Sequence, residues 1–235
     1  MSGAGTAPVS KRVKRIVLGI LLGIVPAGLL FFRLFENRFI TLPHYGQHEV
    51  NGPGDTTYFQ VPDWSFTDQD GHTVSSVTTR GKILVVDFFF TSCRTICPAM
   101  TTRMAGLQLN LPLHDEAYKD VLFLSYTVDP EHDTPAVLKA YAHEHHADTA
   151  RWKFLTGKAE DIYRLGNTGY LVSALEDTLD PERFVHSPNF VLVDKDRRIR
   201  GFYDGTTPTG VKDLVSDLKL LIGEERKRKK REHSE

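Results

Sequence analysis

Cysteine is nearly missing from these 235 residues: only Cys93 and Cys97 occur. That supply excludes a disulfide-stapled scaffold and a four-cysteine zinc fold, and with no cysteine near the N-terminus a lipid-modified anchor is excluded as well. Internal repeats are absent. A basic body is missing too, since residues 16–222 hold 19 Lys/Arg against 26 Asp/Glu, a net of −7. Such a body repels phosphate backbones, which excludes nucleic acid as a partner. Long apolar runs are scarce. The one that stands out is Ile16–Phe32, IVLGILLGIVPAGLLFF. The length suits one core domain with an appendage rather than two full domains.

The apolar run is free of charge and bracketed by Arg15 and Arg33. At ~1.5 Å per residue a helix of this length reaches ~25 Å, and Leu34 and Phe35 extend it into the interface. Lys11, Arg12, Lys14 and Arg15 precede it, so the positive-inside rule keeps residues 1–15 cytoplasmic and exports the rest. A cleaved signal peptide is the rival reading, because Val25-Pro26-Ala27 offers small residues at a cleavage site; the apolar LLFF beyond it favours an uncleaved anchor over 16–35. The expected organisation is a cytoplasmic N-terminus 1–15, a transmembrane anchor 16–35, a linker 36–57, a folded domain 58–222 and a charged disordered tail 223–235. The domain then lies on the periplasmic side of the inner membrane, behind a single span.

Within the domain, the DG turn of Asp70-Gly71 predicts a leading hairpin over 66–74. Ile83–Phe90 (ILVVDFFF) and Val121–Val128 (VLFLSYTV) are β-rich runs with almost no alternation, which marks strands covered on both faces. Helical spacing of Ile96, Met100, Met104 and Leu107 follows the first of them. After the second, Thr134-Pro135 caps a helix with the stripe Leu138, Tyr141, Ala142 and His145. A strand over 152–155, a short helix over 159–165, a hairpin of 190–193 with 199–203 and a last helix to Ile222 complete an α/β layered domain.

Cys93 and Cys97 therefore fall at the carboxyl end of a central strand, where open α/β sheets place their ligands. The dipole of the helix that follows is expected to lower the pKa of whichever cysteine starts it, and the cysteine turn is expected to be exposed. An inert disulfide across so short a loop would restrain the unfolded chain little. Two thiolates that can meet on one ion make a soft site, favouring Cu(I), with zinc if a fourth ligand exists. Among the ten histidines, His143, His145 and His146 (HEHH) read as a polar helix end. His186 precedes Ser187-Pro188-Asn189 at the mouth of the 190–193 strand, and if neighbouring strands are parallel their ends meet near the cysteines.

At this point the chain resembles the SCO/SenC family of membrane-anchored, thioredoxin-like copper proteins. The resemblance rests on VVDFFFTSCRTICPAMTTRM around the cysteines, LSYTVDPEHDTPAVLKAYA from Leu124, LTG at 155–157, and HSPNFVLVDKDRRIRGFYDG from His186. It implies a thioredoxin-like fold with a central mixed sheet flanked by helices, and one copper, Cu(I) or Cu(II), held by Cys93, Cys97 and His186. Asp129 matches an acid near the metal and carries over as a neighbour of the ligands. The implied role is a metallochaperone that delivers copper to the copper-accepting subunit of cytochrome c oxidase for its dinuclear centre, with another copper chaperone and a thiol reductant as further partners. Two positions depart from the family pattern. His132 replaces a residue that is more often basic, and Pro188 stands six residues before Asp194, where thioredoxin-like reductases keep a cis-proline and copper-binding relatives usually have a hydroxyl. Pro188 keeps an enzymatic alternative open: a thiol-disulfide oxidoreductase in which Cys93 attacks, Cys97 resolves and a disulfide bond forms between them.

Overall fold

A computed structural model describes residues 10–35, 41–52, 55–112, 115–176 and 184–232. The chain divides into two compact units, Met1–Thr41 and Leu42–Glu235. The first contains helix α1 (Lys11–Phe35), with Pro26 inside it. Among the described residues no helix is long and apolar enough to cross a membrane. The side chains of Ile16, Val17 and Leu18 lie outside that set, and the anchor remains an expectation from the sequence run.

The second unit is built on β5 (Ile83–Phe89), whose seven residues are all buried, as the unalternated run predicts. Parallel strands β6 (Val121–Thr127) and β7 (Trp152–Thr156) extend the sheet on one side. On the other side lie the antiparallel β10 (Asn189–Val193) and β11 (Ile199–Asp204). The hairpin β3 (Ser65–Asp68) and β4 (Thr73–Ser75) completes the far edge, giving the order β11-β10-β5-β6-β7-β3-β4. Helices α2 (Cys97–Asn110), α3 (Pro135–Glu144) and α4 (Ala159–Arg164) follow β5, β6 and β7. Thr134 caps α3 as its sequence predicts, accepting a hydrogen bond from the Val137 amide at 3.4 Å. The strand-helix alternation and the closing hairpin thus stand where the periodicities put them.

Three segments differ from the sequence expectation. The stretch taken as linker is largely tied down: Leu42 is buried, Tyr45 bridges to Ile199, and β1 (His48–Gly52) pairs with β2 (Asp55–Tyr58). Its exposed residues lack the alternation that marks a half-buried strand, so only the pairing reveals it. Beyond α4 the chain makes a π turn at Leu165–Gly169 and adds the small pair β8 (Ala174–Glu176) and β9 (Phe184–His186). Three residues per strand leave no readable period.

The third difference is the tail. Instead of ending near Ile222, the last helix α5 runs from Pro208 to Glu232. Its extension is fixed by ion pairs. Glu224 binds the buried Arg200 at 2.7 Å and accepts the Leu42 amide at 2.7 Å, while Arg228 pairs with Glu225 at 2.8 Å and with Asp196. Arg200 also reaches Asp194 at 3.2 Å. Asp194, Asp196 and Arg200 lie on the β10-β11 hairpin, too far away in sequence for composition to reveal them.

Candidate metal centre

The site grows from the end of β5. Phe90 is still buried, then the chain turns through Thr91 and Ser92 and reaches α2, whose start is set by Pro98 in the first turn. Cys93 and Cys97 bracket the turn Arg94-Thr95-Ile96. No disulfide joins the two cysteines, and both are buried, at 7% and 1% of full exposure, while Arg94 and Thr95 between them are exposed. The turn is at the surface as expected, while the two cysteines themselves are buried. Cys93 Sγ lies 3.6 Å from Thr95 Oγ1.

The helix start does not lower the Cys97 pKa, as the dipole argument expects. Its thiol is pushed well up, first by a hydrogen bond with Cys93, then by burial, with further upward pressure from Cys93 and Asp87 and a partial offset from a Phe90 backbone hydrogen bond. Burial and a neighbouring sulfur outweigh a partial dipole charge here. A buried cysteine pair in which the Cys97 thiol resists ionisation is well served by a cation. A soft metal ion that displaces their protons also neutralises the thiolates where water cannot.

Two acids that sequence reasoning passed over organise this pocket. Asp87 interrupts the apolar run of β5 and is buried, accepting a hydrogen bond from Ser125 Oγ at 2.5 Å, which in turn accepts from Trp152 Nε1 at 2.8 Å. A charge inside ILVVDFFF was the available signal. Asp133 is fully buried and holds the loop before Cys93: it accepts from the Thr91 amide at 3.0 Å, from the Thr91 hydroxyl, and from Thr127 Oγ1 at 2.5 Å. His132 Nδ1 lies 2.8 Å from the same carboxylate, which raises the histidine's pKa. Asp129, the acid picked out by resemblance, is half-buried and closes the turn after β6, accepting from the His132 amide at 3.4 Å. Asp133 is therefore the acid that ties β6 to the cysteine loop.

His186 ends β9, opposite Ala174, and the Ser187 amide bonds the Ser173 carbonyl at 3.0 Å. Its imidazole lies outside the described residues. The backbone nonetheless places it at the cysteine end of the sheet, for a reason opposite to the one expected. β10 runs antiparallel to β5, with Val191 opposite Val86, so the start of β10 meets the end of β5. Parallel strands would have sent His186 to the wrong end. Pro188 is also corrected: no described peptide bond is cis, so the bond before it is trans. Ser187 Oγ accepts from the Asn189 amide at 3.2 Å and the Pro188 carbonyl accepts from Gly205 at 2.8 Å, so the turn closes with the more stable isomer.

The other candidates fall away. His143 and His146 are exposed, and His145 packs 4.3 Å from the Tyr141 ring. Asp68, Asp70 and His72 come together at the β3-β4 turn, but Lys153 at 3.2 Å and Lys139 at 3.0 Å already neutralise the carboxylates.

Fold and site together define a thioredoxin-like α/β protein with a buried dithiol at the carboxyl end of its central strand. The SCO1/SenC family profile matches residues 54–222, and the chain belongs to that family. The "SCO1 protein homolog" of Bacillus subtilis is 32% identical over 181 residues, covering 77% of this chain and 91% of the relative. Among solved structures, BsSco, described as a member of the Sco family of cytochrome c oxidase assembly proteins with a disulfide switch, superposes with a TM-score of 0.61 at 33% identity, over 70% of this chain and 94% of that one. Yeast Sco1 with copper bound superposes with a TM-score of 0.54 at 27% identity, over 68% and 88%.

Proposed function

We propose that this protein is a membrane-anchored metallochaperone that carries one copper ion as cargo between Cys93, Cys97 and His186, outside the cytoplasm. Residues 16–35 serve as the anchor and residues 1–15 stay cytoplasmic. The cargo goes to the copper-accepting subunit of cytochrome c oxidase. The observation that carries this reading is the pair of buried cysteines, not joined in a disulfide, on a turn open to the surface, in a family with a copper-bound relative. Such a site takes up an ion by proton displacement and releases it by ligand exchange, with no turnover of substrate.

A second reading has its own support in the mutual hydrogen bond of the thiols and in the disulfide switch of BsSco. In it, Cys93, the less buried cysteine, attacks a recipient disulfide and Cys97 displaces the recipient thiol. The histidine separates the two. His186→Ala should abolish oxidase assembly and weaken copper binding by more than the ~10-fold that marks loss of a residue merely supporting the ligands, while reduction of a recipient peptide disulfide survives. Normal oxidase assembly with His186→Ala would favour the reductase.

A further inference from the structure

We infer that the basic end of α5 is a docking surface for an anionic phospholipid bilayer, a reading that rests on the membrane anchor proposed above. The helix carries six Lys/Arg between Arg226 and Arg231, at the end of a body whose net charge is −7. Arg228 turns inward to Asp196 and Glu225, which holds the segment as a rigid helix against the β10-β11 hairpin. Arg226, Lys227, Lys230 and Arg231 are exposed. Asp115, 3.8 Å from Arg226, is a carboxylate set against them, and Glu232 lies 3.8 Å from Arg228.

What selects a bilayer over an acidic protein is where this end of the domain sits in the chain. The segment is riveted to the first fixed residue of the domain, because Glu224 accepts the Leu42 amide at 2.7 Å and Arg200 bonds both Glu224 and the Leu42 carbonyl at 2.7 Å. From Glu224 to Lys230 a helix advances ~9 Å. From Phe35 to Leu42 there are seven residue steps, which even fully extended reach only ~25 Å. A domain on so short a strap has its Leu42 end, and with it the basic helix end, within reach of the headgroups. Each cation near an anionic surface adds ~1 kcal/mol of attraction, so a cluster of this size orients the domain while the acidic remainder is repelled. The helix end thus sets which face of the domain is turned outward.

Residues 42–235 form a compact unit with its own core, and a soluble domain of Sco1 from Bacillus subtilis has been solved in solution. That unit should co-sediment with vesicles of phosphatidylcholine plus phosphatidylglycerol and not with phosphatidylcholine alone. Binding should vanish near ~1 M salt, where screening acts within ~3 Å. Lys227→Gln, Lys230→Gln and Arg231→Gln together should weaken it by about 100-fold with an unchanged unfolding midpoint. Equal binding to both vesicles, or undiminished binding by the triple variant, would overturn the proposal, as would a preference for polyglutamate over the anionic vesicles. The anchor is tested apart from this: full chain released from membranes by alkaline washing would refute the span, whatever the vesicles show.

Discussion

Asp87 is the residue whose chemistry is most open to measurement. Its charge adds the smallest of the upward pressures on the Cys97 thiol, behind the Cys93 hydrogen bond, burial and the Cys93 sulfur, and Ser125 and Trp152 hold it in place. Asp87→Asn keeps an acceptor for Ser125 and removes the charge. Iodoacetamide alkylation of Cys97 should then set in at lower pH than in the parent, because only the thiolate reacts, with Cys93 modified first in both. An unmoved Cys97 profile would detach the acid from the dithiol. Asp133 acts mechanically. Asp133→Ala takes the acceptor from the Thr91 amide and the Thr127 hydroxyl and leaves the Thr91 hydroxyl only its 3.3 Å contact with His132 Nδ1, which should cost ~3 kcal/mol in urea unfolding with the denaturant slope preserved. Neither acid stood out in the sequence as the cysteines did. A carboxylate inside an apolar strand and one before a helix cap take their meaning from partners 38 and 42 residues away.

Among the elements, the central strands were legible because β5 and β6 are buried on both faces and so read as unbroken apolar runs. The cap of α3 was legible because Thr134-Pro135 acts on its immediate neighbours. The charged end of α5 was not, since six cations in a row look like a solvated tail until Asp196 and Arg200 come up beside them. Glu224→Ala should test how far those distant partners hold the helix. It removes one of two carboxylates from a buried guanidinium and leaves the Leu42 amide unpaired. With Asp194 still in place, the cost should be ~2 kcal/mol, a fall of about 5 °C in unfolding midpoint for a domain of this size. A midpoint equal to the parent's would mean that the extension is not clamped.

For the whole molecule, topology rather than local pattern brings the proposed copper ligands to one end of the sheet. Cys93 and Cys97 lie there by following the end of β5, and the His186 backbone lies at the same end because β10 turns back antiparallel. A stretch of 88 residues separates the last cysteine from that histidine, and no periodicity spans it. Resemblance supplied the pairing, while the reason for it lies in strand direction. The account stands or falls on copper. Reduced residues 42–235 should bind one copper per chain by titration with Cu(I) under a competing chelator, and the double variant Cys93→Ala, Cys97→Ala should bind none. Parent-like stoichiometry and affinity in the double variant would contradict the assignment of the dithiol as the copper site.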